Sequence, residues 1–439
     1  MKKTRYLGLL LVLFVLISCK KNDDDVVQVP DATDEPDAQV ENRAPGAFTL
    51  LEVKDEDTAV SLLPTFRWNT STDPDGDKVR YDFLLGQGQG KIESIAHDLN
   101  TATYTLNDRL SLSSEYFWKV TAKDGKGKEE SSNVFSFVTR MLNNPLSATI
   151  SEANFAPRML HTVTFFNNRL WLHCGQNETG ILADVWYSDD GISWTGVDDA
   201  GVDRLRGHTS VAFRDTLWTL GGRTRIGKNT RSRYMFPTYG HGLFDPGVAP
   251  YDAPWERREM HTSAVFLDKV WVLGGVNAAD VPLNDVWSTA DVKGWDESGE
   301  HNPAPWSARF GHTSVVFDDR LWVIGGFDGT NYLNDVWYTT DGATWTEATP
   351  NAPFLPRVSH AAVVYDNKIW LYGGDDPSRV FGDIWYSENG QDWTRFALGG
   401  NYERRVRPTL NAFNDQMVLI GGWDWDDPEK YYNDIWVFD

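Results

Sequence analysis

The sequence predicts an all-β protein in which six look-alike units follow a small β-sandwich. Three observations carry this. Aromatic residues are abundant, with 20 Trp, 16 Tyr and 22 Phe beside 37 Gly, a composition that favours strands and tight turns over helices. One pattern recurs six times from Pro157 onward at spacings of 47 to 53 residues, and repetition at such a period marks a stacked or circular array. Ahead of it, short apolar runs are divided by turn-rich pieces, the layout of a sandwich.

In chain order, residues 1–18 read as an address. Lys2, Lys3 and Arg5 precede the apolar run Leu7 to Ile17, the layout of a secretory signal and too short to span a bilayer. Leu16-Ile17-Ser18-Cys19 resembles the lipobox of bacterial lipoproteins. That resemblance implies cleavage before Cys19, acylation of this residue, and attachment to a membrane through two or three acyl chains, enough for stable anchoring. Lys20 in place of Asp points, in the same resemblance, to the outer membrane. Lys20 to Asp25 is similar to a short charged tag that places lipoproteins on the cell surface. Residues 19–46, rich in acids and Pro with little to bury, read as a solvated tether.

Residues 47–140 carry apolar runs at Phe48 to Leu51, Val60 to Trp68, Val79 to Leu85, Tyr116 to Ala122 and Val134 to Val138. With Trp68 on an early strand and Tyr116, Trp118, Val120, Ala122 and Asp124 on a later one, this stretch resembles a fibronectin type III domain. Asp73, Asp75 and Asp77 alternate as at the start of a calcium loop. Lys78 stands where an EF-hand needs Gly and Leu84 where it needs Glu, so a turn is preferred and no metal is expected.

The repeats occupy residues 141–439. A recurring anchor falls at His161, His208, His261, His312, His360 and Pro408. Ten residues on stand Trp171, Trp218, Trp271, Trp322, Trp370 and Val418; fourteen on stands a Gly in every unit. Asp-Val-Trp or Asp-Ile-Trp follows at Asp184, Asp285, Asp335, Asp383 and Asp434, and only the second unit lacks it. Each unit offers four short strands, A to D, with turns such as Asp341-Gly342 and Asn389-Gly390 between C and D. Such units read as the blades of a six-bladed β-propeller, because a single blade leaves both faces unburied. The Arg-x-x-His, Gly-Gly, Asp-Val-Trp and terminal Trp pattern resembles kelch repeats. The sixth unit ends before a strand D, and residues 146–156 are expected to fill that gap and close the ring. The repeat Trp are read as inter-blade packing, and Cys174 as an inert buried thiol.

Strand alternation places the B-to-C loops and the D-to-A links on one face, here face X, and the A-to-B and C-to-D turns on the opposite face Y. In the kelch resemblance strand A is innermost, so residues just before it surround the channel mouth on X. These include Arg158, Arg258, Arg309, Arg357 and Arg405, with Leu205 in the second unit. The long second-unit loop adds Arg223, Arg225, Arg231 and Arg233. The expectation is an electropositive rim that holds carboxylate, sulfate or phosphate through guanidinium forks. Against it stands a structural reading in which the five repeat Arg pair with Asp of neighbouring blades. Aromatic residues share the face, among them Trp255, Trp306, Trp423, Trp425 and Tyr432, and rings beside acids suit sugars and protein hot spots alike.

The 63 acids outweigh 41 Lys and Arg for a formal charge of −22, which excludes nucleic acid as an expected partner. Enzyme motifs fail. Ser188-Asp-Asp190-Gly191 with Trp194 is similar to the structural Asp-box of sialidases and proves no hydrolase. Copper kelch oxidases use a Tyr crosslinked to Cys, and Cys174 sits instead in the Gly pair of strand B, so no cofactor is expected. The function expected is a non-catalytic, surface-anchored binding protein that holds a glycan or a protein on face X. The alternative is an enzyme on an anionic sugar, similar to the kelch mutarotase of N-acetylneuraminate.

Overall fold

A computed structural model describes residues 41–143, 145, 147–198, 202, 204–224, 238–239, 243–244, 253–292, 295, 303–396, 403–426 and 430–439. Cys19, Arg225, Arg231 and Arg233 lie outside the described residues, as do the signal segment and most of the tether. The chain forms a β-sandwich followed by a six-bladed propeller.

In the sandwich, Leu50–Glu52, Thr65–Trp68 and Thr103–Thr105 form one sheet. Asp57–Val60, Phe135–Thr139, Glu115–Lys123, Arg80–Gly86 and Glu93–Leu99 form the other, with Glu129–Ser131 beside Glu115–Lys123. Alternation along the strands turns Phe66, Phe83, Trp118 and Phe137 inward, all buried. Their rings pack 4.7 to 5.8 Å from Phe66. At the tip of the domain, Asp73, Asp75 and Asp77 lie together. Arg43 forks onto Asp75 and Lys126 lies 2.7 Å from Asp77, so cations of the chain already neutralise much of this turn.

Blade four displays the unit in full: Thr313–Phe317, Arg320–Phe327, Tyr332–Thr339 and Trp345–Thr349, all antiparallel. The indole of each strand-B Trp donates to the last residue of its strand A, as Trp322 does to the Phe317 carbonyl at 2.9 Å. The C-to-D turn of the next blade lies against that indole. A Cβ on Gly390 would stand 2.2 Å from the Trp322 ring, and Gly390 has φ 75°, so only Gly fits. The Asp-box similarity proves structural: Ser188 Oγ accepts from Gly191 N at 2.8 Å, and Asp190 accepts from the amides of Ile192 and Ser193.

The ring closes between the N-terminal stretch and blade six. Ile150 exchanges two backbone hydrogen bonds with Ile435, at 3.1 and 2.8 Å, and Ala153 N donates to Asn433 O. The chain ahead of blade one thus supplies an outer strand beside Ile435–Phe438. A second circle surrounds the axis on face X. Gly207 N donates to Leu160 O, Met260 N to Gly207 O, Gly311 N to Met260 O, Ser359 N to Gly311 O and Arg407 N to Ser359 O, at 2.7 to 3.0 Å. All six residues have φ between 55° and 61°, a left-handed conformation that costs a non-glycine residue on the order of 1 kcal/mol and is imposed here by the blade-to-blade bonds.

The sandwich sits against face Y at blades five and six. Leu62, Leu112 and Leu142 pack into the core of those blades. Arg109 donates to the Tyr365 hydroxyl at 2.8 Å, and Asp366 accepts from Leu112 N at 2.7 Å.

Candidate functional site

The five repeat arginines do not form an open rim. Arg158, Arg309, Arg357 and Arg405 are 0% exposed and Arg258 is 2% exposed. Each forks onto the Asp of its own blade, not of a neighbour: Arg158 on Asp184, Arg258 on Asp285, Arg309 on Asp335, Arg357 on Asp383 and Arg405 on Asp434, at 2.5 to 3.0 Å. Nε donates to the carbonyl two residues earlier, and Nη1 to the carbonyl of the residue preceding the conserved-spacing Gly. The same carboxylates accept from Trp186, Trp287, Trp337, Trp385 and Trp436 at 2.6 to 2.8 Å. Burial would raise these acids, yet the guanidinium fork outweighs it and holds Asp184, Asp285 and Asp383 below the ordinary carboxylate value. The pairing is therefore a lock inside each blade. Blade two lacks both halves: buried Leu205 replaces the Arg, and the Asp-Val-Trp stretch is absent. Losing both together avoids an uncompensated buried charge.

Three aromatic expectations are also corrected. Tyr432 is buried beneath Arg405, whose guanidinium lies 4.1 Å from its ring centroid. Trp255 and Trp306 are 2% and 1% exposed, edge-on to Trp295 and Trp345 within their blades. Trp423 and Trp425 remain half-buried on face X, with Trp423 6.1 Å from Tyr431.

What lines the channel is the residue before each anchor and the anchor itself. Leu160, Gly207, Met260, Gly311, Ser359 and Arg407, with the five anchor His, enclose a cavity of about 170 Å³ at the X end. Below it the channel continues for about 240 Å³ between the Thr and Ser of the innermost strands. Each His meets a Thr of the preceding blade: Thr162 with His208, Thr209 with His261, Thr262 with His312 and Thr313 with His360, at 3.0 to 3.1 Å. Where the anchor is Pro408, the preceding blade carries Ala361, so no hydroxyl loses its partner. Burial first, with the Arg charges adding to it, pushes His161, His261 and His360 down to about 3. These imidazoles are neutral fixtures of the ring.

Arg407 is the exception among the channel residues. Its Nε donates to Ser359 Oγ at 3.3 Å, and Nη1 and Nη2 lie 3.8 and 4.0 Å from the sulfurs of Met159 and Met260. One guanidinium thus reaches residues of blades one, three and five. Among the described residues it makes no ion pair, although the charges of Asp375, Arg206 and Glu259 act on it. Desolvation lowers its pKa, as fits a half-buried cation without a direct counter-charge.

Around Arg407 the funnel is built from equivalent backbone and unlike chemistry. In every blade the residue two before the anchor pairs with the residue fifteen after it: Met159 with Gln176, Arg206 with Arg223, Glu259 with Val276, Phe310 with Phe327, Val358 with Asp375 and Val406 with Trp423. Glu259 sits between Arg206 and Arg223 at 3.5 and 3.2 Å, and Arg206 also donates to Gln176. Phe310 and Phe327 meet edge to face at 5.6 Å. Asp375 accepts from Trp425; burial pushes it up to about 6 against the pull of Arg407 and Trp425. Six different residue types thus stand at one structural position, so the backbone fold does not fix the chemistry there. The sequence signal was available in the column that reads Leu160, Gly207, Met260, Gly311, Ser359, Arg407, where a single cation stands among small and apolar residues.

Another cleft, of about 460 Å³, lies on face Y between the sandwich and blades five and six. Its Arg109 and Asp366 hold the two domains together.

The fold is that of a kelch-type β-propeller. Residues 207–422 match the KLHDC2/KLHL20/DRC7 Kelch-repeats domain. The mouse Rab9 effector protein with kelch motifs is 24% identical over 41% of this chain and 50% of its own length. The Leucine-zipper-like transcriptional regulator 1 homolog of Drosophila melanogaster is 31% identical over 30% of this chain and 14% of its own. This chain thus spans at most half the length of these two curated relatives. Among solved structures, YjhT superposes with a TM-score of 0.51 at 18% identity, covering 65% of this chain and 95% of that one, a likeness of fold.

Proposed function

We propose that this protein is a binding protein that holds an anionic glycan or protein group in the face X funnel, with Arg407 as its anchor. The observation that carries this reading is the Arg407 guanidinium at the channel mouth, reached by one Ser hydroxyl and two thioethers and by no carboxylate in ion-pair contact among the described residues. Arg407 is half-buried, and a guanidinium left with donors to spare suits a carboxylate fork. Half-buried Trp423, Trp425 and Tyr431 beside it supply faces for C–H groups or apolar side chains. Attachment through Cys19, at the outer membrane and on the cell surface, belongs to the same proposal and rests on the signal-like segment and lipobox of residues 1–19. The sandwich and tether then act as a spacer.

The test is a glycan and polyanion array on the full chain, followed by titration of each hit against wild type and Arg407→Ala. Saturable binding that weakens by about 100-fold in Arg407→Ala, on the scale of one lost charged fork, is the expected result. Hits that ignore this substitution overturn the reading. A second reading, an enzyme acting on an anionic sugar, is favoured by one observation, a half-buried acid with a raised pKa close to Arg407, since such an acid is suited to proton transfer near neutral pH. Following anomer exchange of any sugar hit by NMR separates the two: turnover abolished by Asp375→Asn supports the enzyme, and binding without exchange excludes it.

A further inference from the structure

We propose that Asp375 is the specificity-determining residue of the funnel, and that it restricts the ligand to a carboxylate flanked by a hydroxyl, as at a hexuronate end of an acidic glycan. The inference rests on the reading that Arg407 is the anchor.

No blade needs a carboxylate at this position. Its equivalents are Gln176, Arg223, Val276, Phe327 and Trp423, and the backbone of Asp375 makes the same two bonds to Val358, both 3.0 Å, that they make to their partners. The side chain is half-buried and makes no ion pair among the described residues. The groups that face it are the Arg407 guanidinium from blade six, the Trp425 indole that donates to it, Asp376 beside it and Tyr332 from blade four. Keeping a carboxyl off water without a direct counter-charge costs stability, and such a cost is retained where a ligand needs the group.

The charge balance narrows the ligand further. Among the described funnel residues, Glu259 is shared by Arg206 and Arg223, whereas Arg407 makes no ion pair and is the cation left to meet a ligand anion. Arg407 offers donors to that group. Asp375, when ionised, offers only acceptors, so a ligand oxygen lying against it must bring a hydrogen. A hydroxyl beside a carboxylate does this, whereas a sulfate or a phosphate dianion sets acceptor against acceptor and is repelled. The raised pKa of Asp375 makes this filter sensitive to pH: below about 6 the acid carries its own hydrogen and the repulsion fades.

The experiment is calorimetric titration of the full chain with D-glucuronate, D-glucose and inorganic sulfate at about pH 5 and about pH 7.5, with wild type, Arg407→Ala, Asp375→Ala and the isosteric Asp375→Asn. At the higher pH, wild type is expected to prefer glucuronate over sulfate and over glucose by about tenfold or more. In Asp375→Ala the glucuronate-to-sulfate ratio falls toward one. Sulfate binds wild type several-fold more tightly at the lower pH, and Asp375→Asn abolishes that dependence. An unchanged ratio in Asp375→Ala, while Arg407→Ala still abolishes glucuronate binding, overturns the role of Asp375 and leaves the anchor standing. Binding of none of the probes, or binding indifferent to Arg407→Ala, overturns both.

Discussion

The hydroxyl of Thr409 lies 3.4 Å from Nε2 of His161, joining the innermost strand of the last blade to that of the first. Four shorter Thr-to-His contacts continue the same arrangement around the axis, so the channel wall is a ring of neutral imidazoles between hydroxyls.

That ring makes the propeller acid-sensitive well above the carboxylate range. His161, His261 and His360 fall from 6.5 to about 3 on folding, chiefly through burial, and His208 and His312 fall well below 6.5. The folded state refuses protons that the unfolded chain accepts, so stability is complete above pH 6.5 and declines as the pH drops from there toward 3. Each such His contributes a slope of up to about 1.4 kcal/mol per pH unit. Calorimetric melting should show a marked fall between pH 7 and pH 5; a flat profile over that range would contradict the assignment.

The Arg309 and Asp335 lock gives a second prediction. Asp335→Ala strands a fully buried guanidinium and should destabilise by about 3–5 kcal/mol. Replacing both partners, Arg309→Leu with Asp335→Leu, imitates the apolar solution of blade two at Leu205 and should recover much of that loss. Denaturant unfolding of the three variants checks it, and a double variant worse than Asp335→Ala would refute the comparison with blade two.

Gly390→Ala should destabilise by about 1–3 kcal/mol or more, because the new methyl meets the Trp322 ring 2.2 Å away in a backbone conformation unsuited to Ala. Gly180→Ala is the control: its φ of 125° is strained as well, yet nothing lies within 4 Å of the added carbon. The difference between the two melting shifts measures inter-blade packing, and equal shifts would argue that backbone strain alone accounts for both.

Asp366 ties the sandwich to face Y, accepting from Leu112 N and pairing with the buried ammonium of Lys368 at 3.4 Å. Asp366→Ala leaves both donors without this acceptor and is expected to split one unfolding transition into two, the domains melting separately. Calorimetry resolves this; a single unsplit transition at the wild-type temperature would mean that Asp366 does not couple the domains.

Much of the architecture was legible in the sequence because the blade lock, the Gly pair and the strand-B Trp recur at fixed offsets, and a period survives in one dimension. The site was legible only in outline. Face X and its mixture of rings and charges followed from strand alternation, yet Arg158, Arg258, Arg309, Arg357 and Arg405 were assigned to it because their recurrence made them conspicuous. Recurrence marks what every blade needs for itself. Arg407 and Asp375 are each the single residue of their type in their columns, which a search for recurring pattern passes over.

The chain's own order of residues determined the number of blades, the closure through Ile150 and the inward strand, since these depend on local alternation and spacing. Tertiary structure alone decided which cations are spent. A guanidinium two residues from another, Arg405 against Arg407, is locked on Asp434 in one case and left at the channel mouth in the other. The difference lies in the neighbours that circular stacking brings within reach: Arg405 points into its own blade, where its carboxylate waits, and Arg407 points toward the axis, where five other blades meet and offer it hydroxyl and sulfur.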